Sequence, residues 1–367
     1  MVINFLLLAR CVLYALVRGR AARVPQEVRS VCIIQVAQMG DIVCTTPMFR
    51  AVKRHYPQAK VFVVGGALNE EVVRGNPDID GYVLWEHEVA KMVKKIRELN
   101  CDFACTTSPN FAGLAALYLA GVPCIAAPRV VGGWSPIETR PYKLLRRFVL
   151  AIPHDFMSYA PREYLRLLEP LGITTEDTRK YIYYTQEASR SALQKLGEMA
   201  GAPYAVVSPS AGNKIKRWPP ERFAALADYI AERYMPVVVV GARPDKEEVA
   251  EMMSQVKSPK VKNLSEQLSV EELKALVAQA SLFVSVDTGP LYIAEAAGVP
   301  TIDIVGPVSE GTQPPRGARH LVVVPPRKRP EIFIMNTRVY DAREAQRQAQ
   351  ATTVSEVTGA VDSLLSR

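Results

Sequence analysis

From residue 30 onward, the chain alternates short apolar runs with longer amphipathic stretches. Runs rich in β-branched residues predict strands, and stretches with apolar residues at helical spacing predict helices. This alternation is typical of βαβ units built around parallel sheets. In the first half, we predict strands at 31–36, 60–64, 81–85, 102–106 and 123–127, and helices at about 43–56, 87–99, 110–120 and 142–171.

The same pattern starts again after a polar stretch at 171–189. The predicted strands are 204–208, 236–241, 282–286, 300–305 and 320–324, with helices at about 220–234, 245–256, 269–279, 289–297 and 353–366. Two such series predict two open α/β domains, and ligands of open α/β sheets bind beyond the carboxyl ends of the strands. We place the domains at 30–180 and 181–350, with 351–367 as a C-terminal helix that can pack back on the first domain.

Residues 1–29 form a leader of different character. The stretch "INFLLLARCVLYALVRGR" is apolar but interrupted by Arg10, and the first 30 residues hold five arginines against the single acid Glu27. Its apolar runs are shorter than the roughly 20 residues of a spanning helix, and no signal-peptide cleavage site follows. We expect residues 2–23 to form an amphipathic helix on the membrane surface. A short spanning anchor and a helix packed on the protein itself are the alternatives.

Composition narrows the class of protein. With 367 residues and 49% hydrophobic content, the chain can bury large cores, which excludes disorder. The six cysteines lie mostly in apolar runs without a CxxC pair and the four histidines are scattered, so we expect reduced core thiols and no metal site. Half of the net charge of +8 lies in the apolar leader, and no basic stripe with exposed aromatics is evident, which disfavours nucleic-acid binding.

The first candidate for chemistry follows the first predicted strand, in "VAQMGDIVCTTPMFRAVKRHYP" at 36–57. Gly40 permits a tight turn, and Asp41 then stands near the start of the next helix. A carboxylate in this position can cap the helix or act as a general base. The spacing alone leaves both interpretations open.

The second candidate is "SPSAGNKIKRWPPERFAALA" at 208–227, between a strand and a helix. Small residues such as Ser210 and Gly212 let the backbone approach an anion, and Lys216 supplies positive charge for a phosphate. A solvated basic loop is the alternative. We interpret Trp218 as a core anchor and not as a platform for a ligand.

The third candidate is "SVDTGPLYIAEAAGVP" at 285–300, where Asp287, Thr288 and Gly289 join a buried strand to a helix. The start of a helix offers unpaired N–H groups with a partial positive charge, which suits a diphosphate; a plain N-cap is the alternative. Neither GxxxxGK[ST] nor GxGxxG occurs, which argues against a P-loop NTPase or a dehydrogenase. The Gly/Pro-rich stretch 306–317 is either a functional loop or a connector.

Together these segments resemble glycosyltransferase family 9, the lipopolysaccharide heptosyltransferases and their relatives, over about residues 30–367. The residues that carry the resemblance are Gly40-Asp41, Lys216-Arg217-Trp218-Pro219, and Asp287-Thr288-Gly289 with "AEAAGVP" downstream. The resemblance implies an α/β fold with two Rossmann-like domains facing a cleft, the glycosyltransferase type B fold. It places the acceptor in the first domain and a nucleoside diphosphate sugar in the second.

The resemblance also implies roles for individual residues. Asp41 corresponds to the general base, Lys216 to the lysine on the donor diphosphate, and Thr288 with Gly289 to the amides that hold the same phosphates. The remaining donor-binding candidates are Ser210, Gly212, Glu248, Leu268, Asp287 and Tyr292, and the acceptor-binding candidates are Arg50, Arg129 and Arg140. Tyr292 departs from the family, which has histidine at that place.

The implied reaction is an inverting, metal-independent transfer that uses no cofactor. The donor is a nucleoside diphosphate sugar, with an ADP-sugar favoured and heptose or a related sugar transferred. The acceptor is an anionic lipid-linked saccharide such as lipopolysaccharide core, at the cytoplasmic face of the inner membrane. The alternatives are a non-catalytic subunit of a membrane glycan-assembly complex and a sugar-nucleotide epimerase of the same fold.

Overall fold

The computed structural model describes residues 2–333 and 338–366. Contacts between residues divide the chain into two compact units, Met1–Lys180 and Tyr181–Arg367. Each unit contains one six-stranded parallel sheet whose strands alternate with helices along the chain.

The first sheet has the strand order β3-β2-β1-β4-β5-β6. Its strands are β1 (Ser30–Gln35), β2 (Lys60–Gly65), β3 (Gly81–Leu84), β4 (Phe103–Thr106), β5 (Cys124–Gly132) and β6 (Leu150–Asp155). The helices of this unit are α1 (Val2–Arg18), α2 (Met39–His55), α3 (Ala67–Val73), α4 (Val89–Glu98), α5 (Phe111–Ala120), α6 (Arg140–Leu145) and α7 (Ala160–Arg166). The order of strands reverses between β1 and β4, so a crevice is expected beyond their carboxyl ends.

The second sheet has the order β12-β11-β10-β7-β8-β9, with the reversal between β7 and β10. Its strands are β7 (Ala205–Ser208), β8 (Val237–Val239), β9 (Val261–Asn263), β10 (Leu282–Val286), β11 (Thr301–Ile304) and β12 (His320–Val323). The helices are α8 (Gln186–Leu196), α9 (Pro220–Arg233), α10 (Lys246–Met253), α11 (Val270–Ala278), α12 (Gly289–Ala296), α13 (Ala342–Ala351) and α14 (Val354–Leu365). A short antiparallel pair, β13 (Ile332–Phe333) and β14 (Arg338–Val339), lies outside the sheet.

Strands next to the reversal points are buried along their whole length. Every residue of β1 and of β10 is buried, as expected where helices cover both faces of a parallel sheet. Such strands appear in the sequence as continuous apolar runs, which is why the predicted strands agree closely with the observed ones.

Residues 150–155 correct the sequence interpretation, which predicted one helix over 142–171. The helix α6 ends at Leu145, and β6 then pairs in parallel with β5 at the edge of the sheet. Pro153 lies inside β6. Proline cannot donate to a neighbouring strand, so it is tolerated at a sheet edge. The prediction missed this short strand because leucines and tyrosines at helical spacing lie on either side of it.

The C-terminal helix α14 packs within the second unit. Val357 and Val361 are fully buried in the core that α9, β10 and β11 share. From the sequence alone, this helix could also have packed back on the first domain. Its apolar stripe instead covers the sheet of its own unit, because that face of the sheet is lined by valine and isoleucine.

The N-terminal helix α1 packs on the first unit, which is one of the alternatives that the sequence left open. Cys11 and Ala15, four residues apart, are buried in the core that includes α5 and α6. The Arg18 guanidinium donates to the backbone carbonyls of Tyr118 and Val122. Tyr118 lies in the last turn of α5 and Val122 lies just beyond the end of this helix, where a cation is favoured.

The opposite face of α1 is apolar and exposed. From Leu6 onward, where its side chains are described, Leu6, Leu13, Leu16 and Val17 are 63%, 66%, 79% and 88% exposed. Within the described residues, no helix combines the length and apolar character that crossing a bilayer requires. The helix therefore has one face in the protein core and a second apolar face on the protein surface.

The cysteines confirm the expectation of reduced core thiols. All six are free and buried. Burial raises the pKa of Cys11 to about 12 and that of Cys124 to about 11, which keeps both thiols protonated and unreactive at neutral pH.

A row of polar residues crosses the second sheet. Ser208, Ser285 and Asp303 are register partners on β7, β10 and β11. Asp303 is fully buried, and neither of its carboxylate oxygens has a hydrogen-bond partner. Burial, reinforced by the negative charge of Asp287, raises the pKa of Asp303 well above its usual range. Burial therefore favours the protonated, uncharged form of this carboxyl group.

We expect Asp303→Asn to stabilise the protein increasingly as the pH rises. In the unfolded chain Asp303 ionises near pH 3.9, whereas the folded protein keeps the proton, so the free energy of unfolding falls as the pH rises between the two pKa values. The variant lacks this loss. Its advantage over the wild type should grow by up to about 1.4 kcal/mol per pH unit, measured by urea unfolding from pH 5 to 8. Ser285→Ala is the matched control, with a pH-independent difference. The same flat result for Asp303→Asn would contradict a neutral carboxyl group.

Candidate functional site

Three turns carry the residues that the sequence singled out. The turn after β1 carries Asp41, the turn after β7 carries Lys216, and the turn after β10 carries Asp287 and Thr288. Each of these strands borders the reversal of its sheet, which is where open α/β sheets bind ligands.

Asp41 lies in the first turn of α2 and caps this helix. Its Oδ2 accepts a hydrogen bond of 3.1 Å from the backbone N–H of Gln38, the N-cap residue. The side chain is 4% exposed. The capping interpretation is therefore correct, and it is compatible with a role as a base because the other oxygen points elsewhere.

Tyr164, on α7, holds that other oxygen. Its hydroxyl donates to Oδ1 of Asp41 at 3.3 Å. Burial and the charge of Asp41 raise the pKa of Tyr164 well above its usual range, so it remains a donor at all ordinary pH values. Both carboxylate oxygens are thus oriented by the protein. No sequence pattern pointed to Tyr164, which lies 123 residues from Asp41.

Buried polar side chains brace the turn that carries Asp41. The Asn69 amide donates to the carbonyls of Gln35 and Ala37 at 3.1 and 2.9 Å. The Gln35 side chain donates to Thr45 at 3.0 Å and accepts from the N–H of Ala37 at 3.1 Å. These bonds satisfy backbone groups that would be costly to bury unpaired. A glutamine at the end of an otherwise apolar strand was the available signal for this bracing.

His154 on β6 is a neutral ring beside Tyr164. The two rings stack with centroids 6.0 Å apart, and Nδ1 of His154 has no hydrogen-bond partner. Burial, with a smaller effect of Arg166, lowers the pKa of His154 to about 4. The residue therefore adds no positive charge beside the hydroxyl that orients Asp41.

In the second unit, Lys216 joins the turns that follow β7 and β10. Its ammonium group donates to Oδ2 of Asp287 at 2.9 Å and to the Asp287 carbonyl oxygen. Both side chains are more than nine-tenths buried. These contacts use two of the three ammonium protons, which leaves one for a ligand. The two most specific sequence motifs thus meet in a single ion pair.

Tyr292 lies one turn into α12 and also contacts this ion pair. Its hydroxyl donates to Oδ1 of Asp287, and the ring is 2% exposed. Asp287 is therefore held through both oxygens, by Lys216 and by Tyr292. A direct contact of Tyr292 with the donor stays a prediction.

No side-chain hydrogen bond from its N-cap residue caps the start of α12. Thr288 is the N-cap residue with extended backbone, but its hydroxyl makes no capping hydrogen bond. Thr288 and Gly289 are both partly exposed. The plain N-cap alternative therefore does not describe this turn, and the hydroxyl of Thr288 stays available beside the ion pair of Lys216 and Asp287.

The other donor-binding candidates lie in α10 and in connecting segments of the second unit. Glu248, at the start of α10, is buried and forms an ion pair with Arg217. Ser210 is buried, whereas a Cβ on Gly212 would meet no protein atom within 4 Å, so packing does not demand glycine there. Leu268 is partly buried, just before α11.

Trp218 is a core anchor, as predicted. Its ring is 1% exposed and packs edge-on against Phe223, with centroids 4.9 Å apart. The indole N–H donates to the carbonyl of Thr352 at 2.8 Å. This residue therefore fixes the loop that carries Lys216 to the C-terminal part of the second unit.

The acceptor-binding candidates fall into two kinds. Arg50 is held by the protein, since its Nε donates to Asp78 at 2.9 Å. Arg129 and Arg140 are exposed and form no ion pair with any described residue. Over residues 2–333 and 338–366, no group of three histidine, cysteine, aspartate or glutamate side chains is arranged to hold a metal ion.

Three known proteins illustrate what the chain is similar to. Lipopolysaccharide heptosyltransferase 3 of Escherichia coli K12 is 26% identical over 290 residues, which are 73% of this chain and 79% of that protein. The structure of E. coli ADP-heptose lipopolysaccharide heptosyltransferase II has a TM-score of 0.73 at 18% identity, covering 92% of this chain and 98% of that one. E. coli heptosyltransferase WaaC, solved with ADP-2-deoxy-2-fluoro heptose, has a TM-score of 0.65 at 18% identity, with 91% and 99% covered.

These structural neighbours confirm the predicted glycosyltransferase type B fold. The model of glycosyltransferase family 9 (heptosyltransferase) matches residues 117–336. The matched range contains the turns after β7 and β10, where Lys216 meets Asp287. The chain therefore belongs to glycosyltransferase family 9.

Proposed function

We propose that this glycosyltransferase moves heptose or a related sugar from a nucleoside diphosphate sugar to a lipid-linked surface glycan such as lipopolysaccharide core. The observation that carries the proposal is the ion pair of Lys216 and Asp287 beside the open start of α12. A cation next to a helix N-terminus at the reversal of an α/β sheet suits a diphosphate. An ADP-sugar is the favoured donor, because a structural neighbour was solved with an ADP-heptose analogue.

The reaction proposed is a single displacement with inversion. Asp41 takes the proton from an acceptor hydroxyl, whose oxygen attacks the anomeric carbon of the donor sugar. The bond from that carbon to the diphosphate oxygen breaks, and its electron pair leaves with the nucleoside diphosphate. A fixed carboxylate suits the role of base because Tyr164 and Gln38 already orient both of its oxygens.

Lys216 stabilises the negative charge that develops on the departing diphosphate. Such stabilisation is strongest where the donor group is already oriented and removed from water, and Asp287 holds the buried ammonium group in that way. Burial raises the pKa of Asp303 and so favours its protonated form, which limits the negative charge set against this one lysine. We propose that this charge replaces a metal ion, so that transfer is metal-independent.

The same proposal assigns the acceptor to residues 30–180 and the donor to residues 181–350. Exposed Arg129 and Arg140 suit an anionic acceptor because no described acidic side chain neutralises them. Ser210, Glu248 and Leu268 are proposed to contact the nucleotide and sugar, and Gly212 the phosphates. No cofactor is required in this scheme.

We further propose that the protein binds the cytoplasmic face of the inner membrane through the outer face of α1. The exposed leucines of α1 suit the acyl boundary, and the exposed Arg10, Arg20 and Arg23 suit anionic headgroups. Because the inner face of α1 is part of the protein core, the attachment proposed is peripheral. It would keep the enzyme beside a lipid-linked acceptor.

We expect Asp41→Asn to lower turnover by about 10²-fold or more, the usual contribution of a positioned base, with nucleotide affinity near that of the wild type. Sugar transfer from ADP-heptose to lipopolysaccharide core gives the turnover, and calorimetric titration with ADP gives the affinity. Asp177→Asn is the matched control. Asp177 pairs with Arg54 and Arg179 in the same unit and should be dispensable. Turnover that survives the change at Asp41 would exclude this residue as the base.

We expect Leu16→Glu to weaken binding to phosphatidylglycerol vesicles by about tenfold or more, because it places a charge in the apolar contact and removes leucine area from it. Thermal stability should stay unchanged, since Leu16 faces solvent. Sedimentation with vesicles gives the bound fraction. The control Leu68→Glu makes the same change at an exposed leucine of α3, which is 44% exposed against 79% for Leu16. Equal binding by both variants would refute a membrane role for α1.

A further inference from the structure

A second apolar surface lies at the end of β5 and on the loop that joins this strand to α6. Val131, Trp134 and Ile137 are 51%, 44% and 39% exposed. None of them takes part in the chemistry proposed above. Clustered apolar side chains at the tip of a loop, including an aromatic ring, mark a contact surface when basic residues surround them.

The base of this loop is held in place. Gly132 lies so close to the Asp155 side chain on β6 that any Cβ at this position would overlap it. At the other end, the Glu138 carboxylate pairs with Arg146 and, at 3.3 Å, with Lys143. Contacts with the rest of the first unit thus anchor both ends of the loop.

The charge around the tip is strongly positive. Residues 129–147 contain five basic side chains and one acidic side chain, Glu138, which is engaged by Arg146 and Lys143. The segment thus carries a net charge of +4, as do residues 1–30. These two segments account for the whole net charge of +8, so the rest of the chain is neutral overall.

The fold brings the two positive segments together. The helix α1 packs against α6, which begins directly after the loop. Both elements also expose apolar side chains, including Leu16 on α1 and Leu144 on α6. A partner that matches both properties has a negatively charged surface over an apolar interior. An anionic bilayer has this structure, and tryptophan favours its interface.

We propose that the loop tip Val131–Ile137 inserts into the headgroup region of an anionic bilayer, as a second membrane contact beside the outer face of α1. The inference rests on the proposed function and deepens it by fixing the orientation of the first unit. Because β1 and β5 are parallel strands of one sheet, the loop and Asp41 both lie beyond the carboxyl ends of its strands. A glycan anchored in the bilayer would therefore approach the carboxyl ends of the strands, where Asp41 lies.

Tryptophan fluorescence tests this contact directly in the full chain. Of the three tryptophans, Trp218 is buried, Trp85 is partly buried and Trp134 is exposed. Phosphatidylglycerol vesicles with brominated acyl chains should quench the wild type relative to unbrominated vesicles. Trp134→Phe should lose this quenching, whereas the matched control Trp85→Phe should keep it. Phosphatidylcholine vesicles should quench neither protein, because they lack negative charge.

Vesicle sedimentation gives an independent measurement. Trp134→Ser should weaken binding to phosphatidylglycerol vesicles by about threefold to tenfold, with ADP affinity unchanged. Quenching that persists in Trp134→Phe, or full vesicle binding by Trp134→Ser, would overturn the inference. A concentration-dependent dimer that shields Trp134 without vesicles would also overturn it and assign the loop to a second copy of the chain. Failure of sugar transfer with normal quenching would count only against the proposed reaction.

Discussion

The ion pair between Lys216 and Asp287 organises the second unit of this protein. It joins the two turns that diverge from β7 and β10, at the reversal of the strand order. An isolated ammonium group could not stay charged and buried there, because desolvation would favour its neutral form. Asp287 supplies the opposite charge, and Tyr292 holds the second oxygen of Asp287. Burial raises the pKa of Asp303, which favours the form that adds no further negative charge beside this pair.

In the first unit, the reversal of strand order positions a carboxylate, Asp41, instead of a cation. The proposed base, Asp41, gains its orientation from two hydrogen bonds, one of which caps the start of α2. Capping and catalysis are therefore compatible roles for one carboxylate. Tyr164 acts as a positioning residue in this scheme, because its hydroxyl touches Asp41 and not the reacting atoms.

Much of the fold and the principal site residues followed from the sequence, for physical reasons. Buried parallel strands such as β1 and β10 are continuous apolar runs, and the candidate residues Lys216 and Asp287 lie in the connections that follow β7 and β10. The short edge strand β6 was missed because helical spacing surrounds it. The contacts of Tyr164 and Arg18 were missed because their partners are distant in the sequence. Asp41 lies 123 residues from Tyr164, and the two carbonyls that Arg18 contacts lie 100 and 104 residues from it. The leader was ambiguous because its two faces serve different purposes, one in the core and one at the surface.

The central claim is that Lys216 holds the donor diphosphate, and calorimetric titration with ADP tests it most directly. Replacing Lys216 by glutamine removes a charged hydrogen bond, so affinity should fall tenfold to a hundredfold, or about 1.5–3 kcal/mol. Lys214→Gln, which alters an exposed lysine of the same short helical turn, should bind ADP like the wild type. Equal affinity of the Lys216 variant and the wild type, with both folded, would contradict the account.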